Sequence, residues 1–219
     1  MGISSFIRKI AWYHNKHGWG KLIKLAAMNV LDRINKKEYM YLLDLNKLEV
    51  DNAFKQKGVM VECYNKESDI PANDMEQLIK LKSKEILLPF LKRFFDRGAT
   101  LWLAKKDGYI VSLIWSLNGG FKGFYMGLPI CPNETVIMAG QTFSEFRGHS
   151  YFAIMIMLIC EKLKASGISR AYMGAHVNNK ASQRAQAKIL KRIGAVRHFH
   201  INRWHIAIWD KKSLMIDLS

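Results

Sequence analysis

Four residues in a row, Arg147-Gly148-His149-Ser150, stand between two apolar stretches, Glu134 to Thr142 and Tyr151 to Ala165. The first reads as a strand and the second as a helix that ends before Gly167. A polar turn leading from a strand onto a helix N-terminus points free backbone N–H groups and the positive end of the helix dipole at one spot. Such a spot binds anions, phosphate above all. Arg147 adds a charge-assisted contact. The plain alternative is an ordinary junction capped by Ser144 or Ser150. Groups able to move a proton lie around the same unit: Glu134, Glu145, His149 and His176. His176 is near the end of a strand expected over Ile168 to Val177. An imidazole there can take a proton from an ammonium directly or through water, although a strand histidine is more often a neutral packed residue. Glu134 follows Pro132-Asn133, which suggests a strand edge where a glutamate is usually solvated.

His198, His200 and His205, among Arg197, Arg203, Trp204 and Trp209, form a basic aromatic cluster. His198 and His200 share one face of a strand, a spacing compatible with a metal pair. No neighbouring carboxylate or cysteine completes the set, so no metal is expected. Stacking on a base or sugar, or packing at a sheet edge, is left open. Cys63, Cys131 and Cys160 are odd in number and scattered, with no CxxC, which argues against a disulfide framework or a zinc site and for reduced thiols of the cytoplasm.

Positioning these groups falls to a meander of strands. Lys57 to Tyr64 reads as a strand. A helical stretch from about Asp74 to Arg97 follows, with a break or kink expected at Pro89. Its Lys80, Lys82, Lys84, Lys92 and Arg93 form a run of positive charge, which is usually a solvated face. Thr100 to Ala104 and Tyr109 to Leu117 flank Asp107-Gly108, a strong hairpin signal. Beyond the central unit, Asn178-Asn179 opens a helix expected to run to Gly194, and two strands near Val196 to Ile201 and Arg203 to Trp209 close the chain. Tyr39 to Leu48 is a strand or a packing segment. Ile3 to about Asn35 reads as two amphipathic helices broken at His17-Gly18-Trp19-Gly20, with lysines and arginines on the polar face. The expected division is therefore a basic helical appendage over 1–50 and a mixed strand-and-helix domain over 51–219.

The stretch Arg147-Gly148-His149-Ser150-Tyr151-Phe152 resembles the pyrophosphate loop of the GNAT superfamily of acyl-CoA N-acyltransferases, which reads Arg/Gln-x-x-Gly-x-Gly/Ala. Thr142 takes the place of that family's strand valine and Ser144 that of its proline. Asn178-Asn179-Lys180-Ala181 is similar to its Asn-x-x-Ala, and Gly194-Ala195 to its terminal Gly-Phe. Ser150 and Phe152 replace two small residues, and no tyrosine lies on the expected helix from Asn178. The resemblance implies an α/β fold with a mixed, mostly antiparallel central sheet flanked by helices. It implies acetyl-CoA, or another acyl-CoA, held by Gln141, Thr142, Arg147, Gly148, His149, Ser150, Tyr151, Phe152, Asn178 and Asn179. It also implies acyl transfer to a primary amine, with Glu134 or His176 as the catalytic base; Glu134 has a spacing to Arg147 similar to that of the glutamate in the family's histone acetyltransferases. A non-catalytic module of this fold, binding anionic lipid, protein or RNA through a basic face, is the alternative.

Charge favours an anionic partner. Lys and Arg number 34 against 18 Asp and Glu, a net charge of +16. The basic N-terminal helices are expected either to pack on the domain or to lie on an anionic membrane surface at the inner face. Nucleic acid is a less favoured partner, resting on charge and aromatic residues alone. No apolar run approaches the length of a membrane span, so a cytoplasmic chain is expected.

Overall fold

A computed structural model describes residues 19–20, 36–49, 58–119, 124–125, 128–201 and 204–210. Strand β1 (Lys36–Asp44) lies inside the sheet, hydrogen-bonded on both sides. The chain continues through β2 (Val59–Tyr64), helices α1 (Ala72–Lys82) and α2 (Lys84–Phe95), β3 (Thr100–Lys106) and β4 (Tyr109–Asn118). After a small β5–β6 ribbon (Phe124–Tyr125 and Leu128–Pro129) come β7 (Glu134–Thr142), α3 (Tyr151–Ala165), β8 (Arg170–His176), α4 (Lys180–Ala187), β9 (Lys191–Ile201) and β10 (Trp204–Trp209). The eight-stranded sheet has the order β10-β9-β1-β8-β7-β4-β3-β2. Every pairing in it is antiparallel except β7 with β8, the two strands joined through α3. A parallel pair needs such a crossover, and the helix supplies it. The architecture is thus the mixed, mostly antiparallel α/β sheet expected from the sequence.

Helices cover both faces of the sheet. On one face α3 buries Ile154, Met155, Ile156, Ile159, Cys160 and Leu163 against Val61, Ala104, Val111 and Met173. On the other, Leu78 of α1 and Leu87 and Leu91 of α2 pack on Leu101, Leu103 and Trp115. The Trp115 ring stacks on Phe94 at 4.7 Å and meets Phe90 and Phe95 edge-on. Covered on both sides, β4 is buried from Ile110 to Ser116, which is why its sequence is a nearly unbroken apolar run.

Several expectations are corrected. β1 is a central strand, so a boundary at residue 50 would cut the sheet; its apolar content reflects burial of Met40 and Tyr41 on opposite faces. The helical break falls at Ser83, held at φ 62°, and α2 continues past Pro89. Proline there removes a single intrahelical bond, whereas a left-handed residue redirects the chain. The last helix stops at Ala187, since Ile189 and Leu190 turn their N–H groups back to the Gln186 carbonyl and β9 starts at Lys191. The Asp107-Gly108 hairpin forms as expected, with φ of 52° and 80°. Of the expected N-terminal helices, Trp19 and Gly20 are described and are helical, and the remainder lies outside the described residues. Among the described residues no helix is long and apolar enough to cross a membrane.

Candidate functional site

β7 and β8 pair only from Glu134↔Arg170 to Ile137↔Met173. Beyond that point they part. β8 stays with β1 as far as His176↔Glu38, while β7 stays with β4. Along β4 the register jumps from Trp115↔Met138 to Leu113↔Gln141, so Ala139 and Gly140 together oppose Ile114. This is a bulge, with Ala139 at φ 52°. The bulge and the parting strands leave Met138 to Gly140 facing open space, where a ligand can meet the backbone.

After β7 the chain makes one 3-10 turn, Ser144–Phe146, tethered by the Phe143 N–H donating to the Val111 carbonyl at 3.1 Å. Arg147 then folds back and its Nε donates to the Thr142 carbonyl at 3.3 Å. Gly148 takes φ 93°, with nothing within 4 Å of a would-be Cβ, so its freedom of backbone is used. Ser150, at φ 62°, precedes α3 and gives no side-chain cap. Ser144 directs its hydroxyl to Glu145 instead. Neither serine therefore caps α3, contrary to the plain alternative. The first intrahelical bond runs from the Ile154 N–H to the Ser150 carbonyl at 3.1 Å. The N–H groups of Tyr151, Phe152 and Ala153 precede that bond, so the helix itself gives them no acceptor. Ser150, Tyr151 and Phe152 line the mouth of a cleft, so the positive end of the helix dipole opens on it.

That cleft has a volume of about 490 Å³, and its wall contains Gln141, Thr142, Arg147, Gly148, Ser150, Tyr151, Phe152 and Asn179 of the residues expected to bind a cofactor. His149 and Asn178 are in the wall of neither described cavity. His149 instead leans its ring towards Tyr151, with centroids 5.5 Å apart. Asn178 donates its N–H to His176 Nδ1 at 3.2 Å. The opposite wall is the first two turns of α4, presenting the small side chains of Ala181, Ser182 and Ala185. Asn179 caps this helix by accepting from the Ser182 N–H at 3.1 Å. Gln183 and Gln186 fasten it to the end of β8 through the carbonyls of His176, Val177 and Gly174.

Phe152 stands where a small residue was expected, and Gly140 explains how it fits. A Cβ on Gly140 would lie 2.4 Å from Phe152 Cε2. The ring therefore lies over the bare backbone of the bulge and closes the cleft from below. Behind it is a second cavity of about 280 Å³, which shares Gly140, Phe152, Asn179 and Ser182 with the first.

The two candidate bases fare differently. Glu134 is in neither cavity. It is 5% exposed at the paired end of β7, about 23 Å of extended chain from Gln141. Its carboxylate accepts from the Cys131 N–H at 2.9 Å and the Tyr172 hydroxyl at 3.0 Å, with Arg170 at 3.6 Å. Burial, and then the Glu134 charge, push the Tyr172 phenol up to about 12. Glu134 is therefore buried and hydrogen-bonded, not the solvated edge residue expected. His176 does line the second cavity. Its Nδ1 accepts from Asn178, so in the neutral ring the proton sits on Nε2, which suits a donor better than a base. The lysines of α1 and α2 are in neither wall. Met155 and Met157, on the methionine-rich helix, are core residues.

No protein-family model and no curated protein matches the sequence. Solved structures match the architecture. A GCN5-related glucosamine N-acetyltransferase region of a fungal multi-domain β-N-acetylglucosaminidase superposes with a TM-score of 0.52 at 11% identity, over 81% of this chain and 22% of that one. A GNAT-family acetyltransferase from Colwellia psychrerythraea gives 0.50 at 12% identity, over 82% and 58%. The chain has the GNAT fold. A third GNAT-family structure, from Novosphingobium aromaticivorans, gives 0.47 at 15% identity, over 74% and 62%. The chain thus spans less than two thirds of the length of each of these three structures.

Gly140 and Glu38 are among the residues of this GNAT-fold site that escaped the sequence reading. Gly140 gave no local signal, because its need for a bare backbone comes from Phe152. Glu38 lines the second cavity but belongs to a strand expected to lie in the appendage.

Proposed function

We propose that this chain is an N-acyltransferase that takes an acyl group, acetyl in the simplest case, from acyl-CoA and places it on a primary amine. One observation carries the reading. The uncapped start of α3, preceded by Arg147 and by Gly148 at positive φ, opens on the cleft at the point where β7 and β8 part.

The residues present fit the group. The backbone N–H groups of Tyr151 to Ala153 and the Arg147 guanidinium suit a pyrophosphate, since both favour dispersed negative charge. Gln141 and Thr142, beyond the point where β7 leaves β8, suit the amides of the pantetheine arm. The small face of α4 leaves room for that arm. Bound there, the group supplies an activated thioester.

The chain's own contribution is placement and polarity. A thioester held against the bulge would present its carbonyl to the backbone at Met138 to Gly140, whose N–H groups could oppose developing negative charge.

The test is amine-dependent release of CoA thiol from acetyl-CoA over sugar amines, polyamines and amino acids, corrected for the exposed Cys63 and Cys131. Release that Arg147→Glu lowers at least tenfold supports the proposal. No release from any amine, with acetyl-CoA leaving the melting temperature unmoved, contradicts it.

A further inference from the structure

The second cavity passes between the two faces of the sheet. Phe152 reaches it from the α3 side. Glu38 and Met138 line it from the other: Tyr39 and Tyr41 of β1 pack towards α3, so Glu38 and Met40 point away, and Met40 and Met138 meet in the cluster beneath the β5–β6 ribbon. An acyl group arriving from the α3 cleft would therefore meet its acceptor across the gap between β7 and β8.

Glu38 is the acidic side chain in the described wall of that cavity. It is 7% exposed and sits directly across from His176 in the β1–β8 register. His198 of β9, 4% exposed, lies behind it with Nε2 3.5 Å from Glu38 Oε2. Tyr125 of the ribbon completes the surroundings: its phenol is held above its ordinary range by burial, and next by the negative charge of Glu38.

We propose that Glu38 is the acceptor-amine residue, binding the primary ammonium of the substrate in the second cavity and taking its proton. This rests on the acyltransferase reading for its chemistry but not for its binding step. The ammonium R–NH3⁺ gives one proton to the Glu38 carboxylate and becomes R–NH2. The amine lone pair attacks the thioester carbonyl, forming the C–N bond. The C–S bond breaks, its electron pair leaves on sulfur, and the thiolate takes the surplus proton from nitrogen to become the CoA thiol. Glu38 then returns its proton to solvent. The acceptor class is thus a primary ammonium small enough to enter a cavity of about 280 Å³.

The experiment uses the full chain and n-butylammonium as probe. Calorimetric or saturation-transfer titration is expected to show binding that Glu38→Gln weakens at least tenfold, while acetyl-CoA affinity is unchanged. With any acceptor found active, the same variant should lower kcat by about 100-fold or more. Should Glu38→Gln fail to fold, the wild-type protein is treated with n-butylamine and a carbodiimide and its peptides mapped. Amidation of the buried Glu38 is expected. Wild-type protein that does not bind the probe, a folded Glu38→Gln variant that binds it equally well, or a map without Glu38 overturns the inference. Ammonium binding through Glu38 without acetyl-CoA binding would sink the acyltransferase reading and leave the ammonium site standing.

Discussion

Gly140→Ala is the sharpest perturbation of the site. Its Cβ would lie 2.4 Å from Phe152 Cε2, 2.8 Å from Ile114 Cδ1 and 2.9 Å from Phe152 Cζ. Ile114 is fully buried between the two layers and has nowhere to go. The Phe152 ring is half-buried, so it is the group that yields, and the direction open to it is the cleft. Overpacking of this kind costs about 1–3 kcal/mol, equivalent to a fall in melting temperature of about 2–12 °C for a chain of this size. Phe152→Ala alone costs about 2 kcal/mol, below the range for a fully buried phenylalanine. In the double variant the clash is gone, so the two changes should be less costly together than their sum by about 1–2 kcal/mol. Urea denaturation of the four proteins measures this coupling. Acetyl-CoA affinity should follow the same logic: about tenfold weaker in Gly140→Ala, where the displaced ring obstructs the cleft, and restored in the double variant. Stabilities that add to within about 0.5 kcal/mol would show that Phe152 does not rest on Gly140, and the division of the site into two cavities would fall with it.

Other consequences lie away from the cleft. Lys105 reaches Glu62 and the buried Asp74, each at 2.6 Å, so Lys105→Met leaves the Asp74 carboxylate uncompensated. A loss of about 3–5 kcal/mol is expected, seen as a lower urea midpoint and partly recovered in Lys105→Met/Asp74→Asn. Hydrogen bonds from Lys105 and then Tyr64 hold the Glu62 carboxyl below its usual value. The stability this contributes is present above the unfolded value near 4.5 and is lost as pH falls below it towards the folded value. Stability of Glu62→Gln should therefore fall less steeply than that of the wild type in this acid range. Cys160 is buried and its thiol is pushed up to about 12 by burial, whereas Cys63 and Cys131 are exposed. A thiol reagent should find two groups in the native protein and the third only after unfolding.

The strand–turn–helix unit from Glu134 to Ala165 was legible because local signals agree there: an apolar run, a polar turn with glycine, and a helical stretch that ends before Gly167. The Asp107-Gly108 hairpin was legible for the same reason. Where tertiary context decides, the sequence misleads. Pro89 outranks Ser83 as a helix breaker by residue type, yet the left-handed backbone of Ser83 makes the break. Gly194 looks like the end of a helix but lies within a strand paired with Met40. The histidines after Gly194 seemed to lack a carboxylate, and the one that meets His198 is Glu38, brought there by two strand pairings that no local pattern reveals. Likewise Glu134 matched a spacing, while its environment of Cys131, Tyr172 and Arg170 gives it a structural part.

Calorimetric titration of the purified protein with acetyl-CoA, repeated on Arg147→Glu and Gly148→Trp, addresses the central claim most directly. The wild type is expected to bind with a dissociation constant on the order of micromolar, about −8 kcal/mol. Both variants should weaken binding at least tenfold, one by reversing the charge at the turn and the other by forcing a large side chain onto a backbone at φ 93°. No heat of binding from a folded wild type, or equal affinity in all three proteins, would contradict the assignment of the α3 N-terminus as an acyl-CoA site.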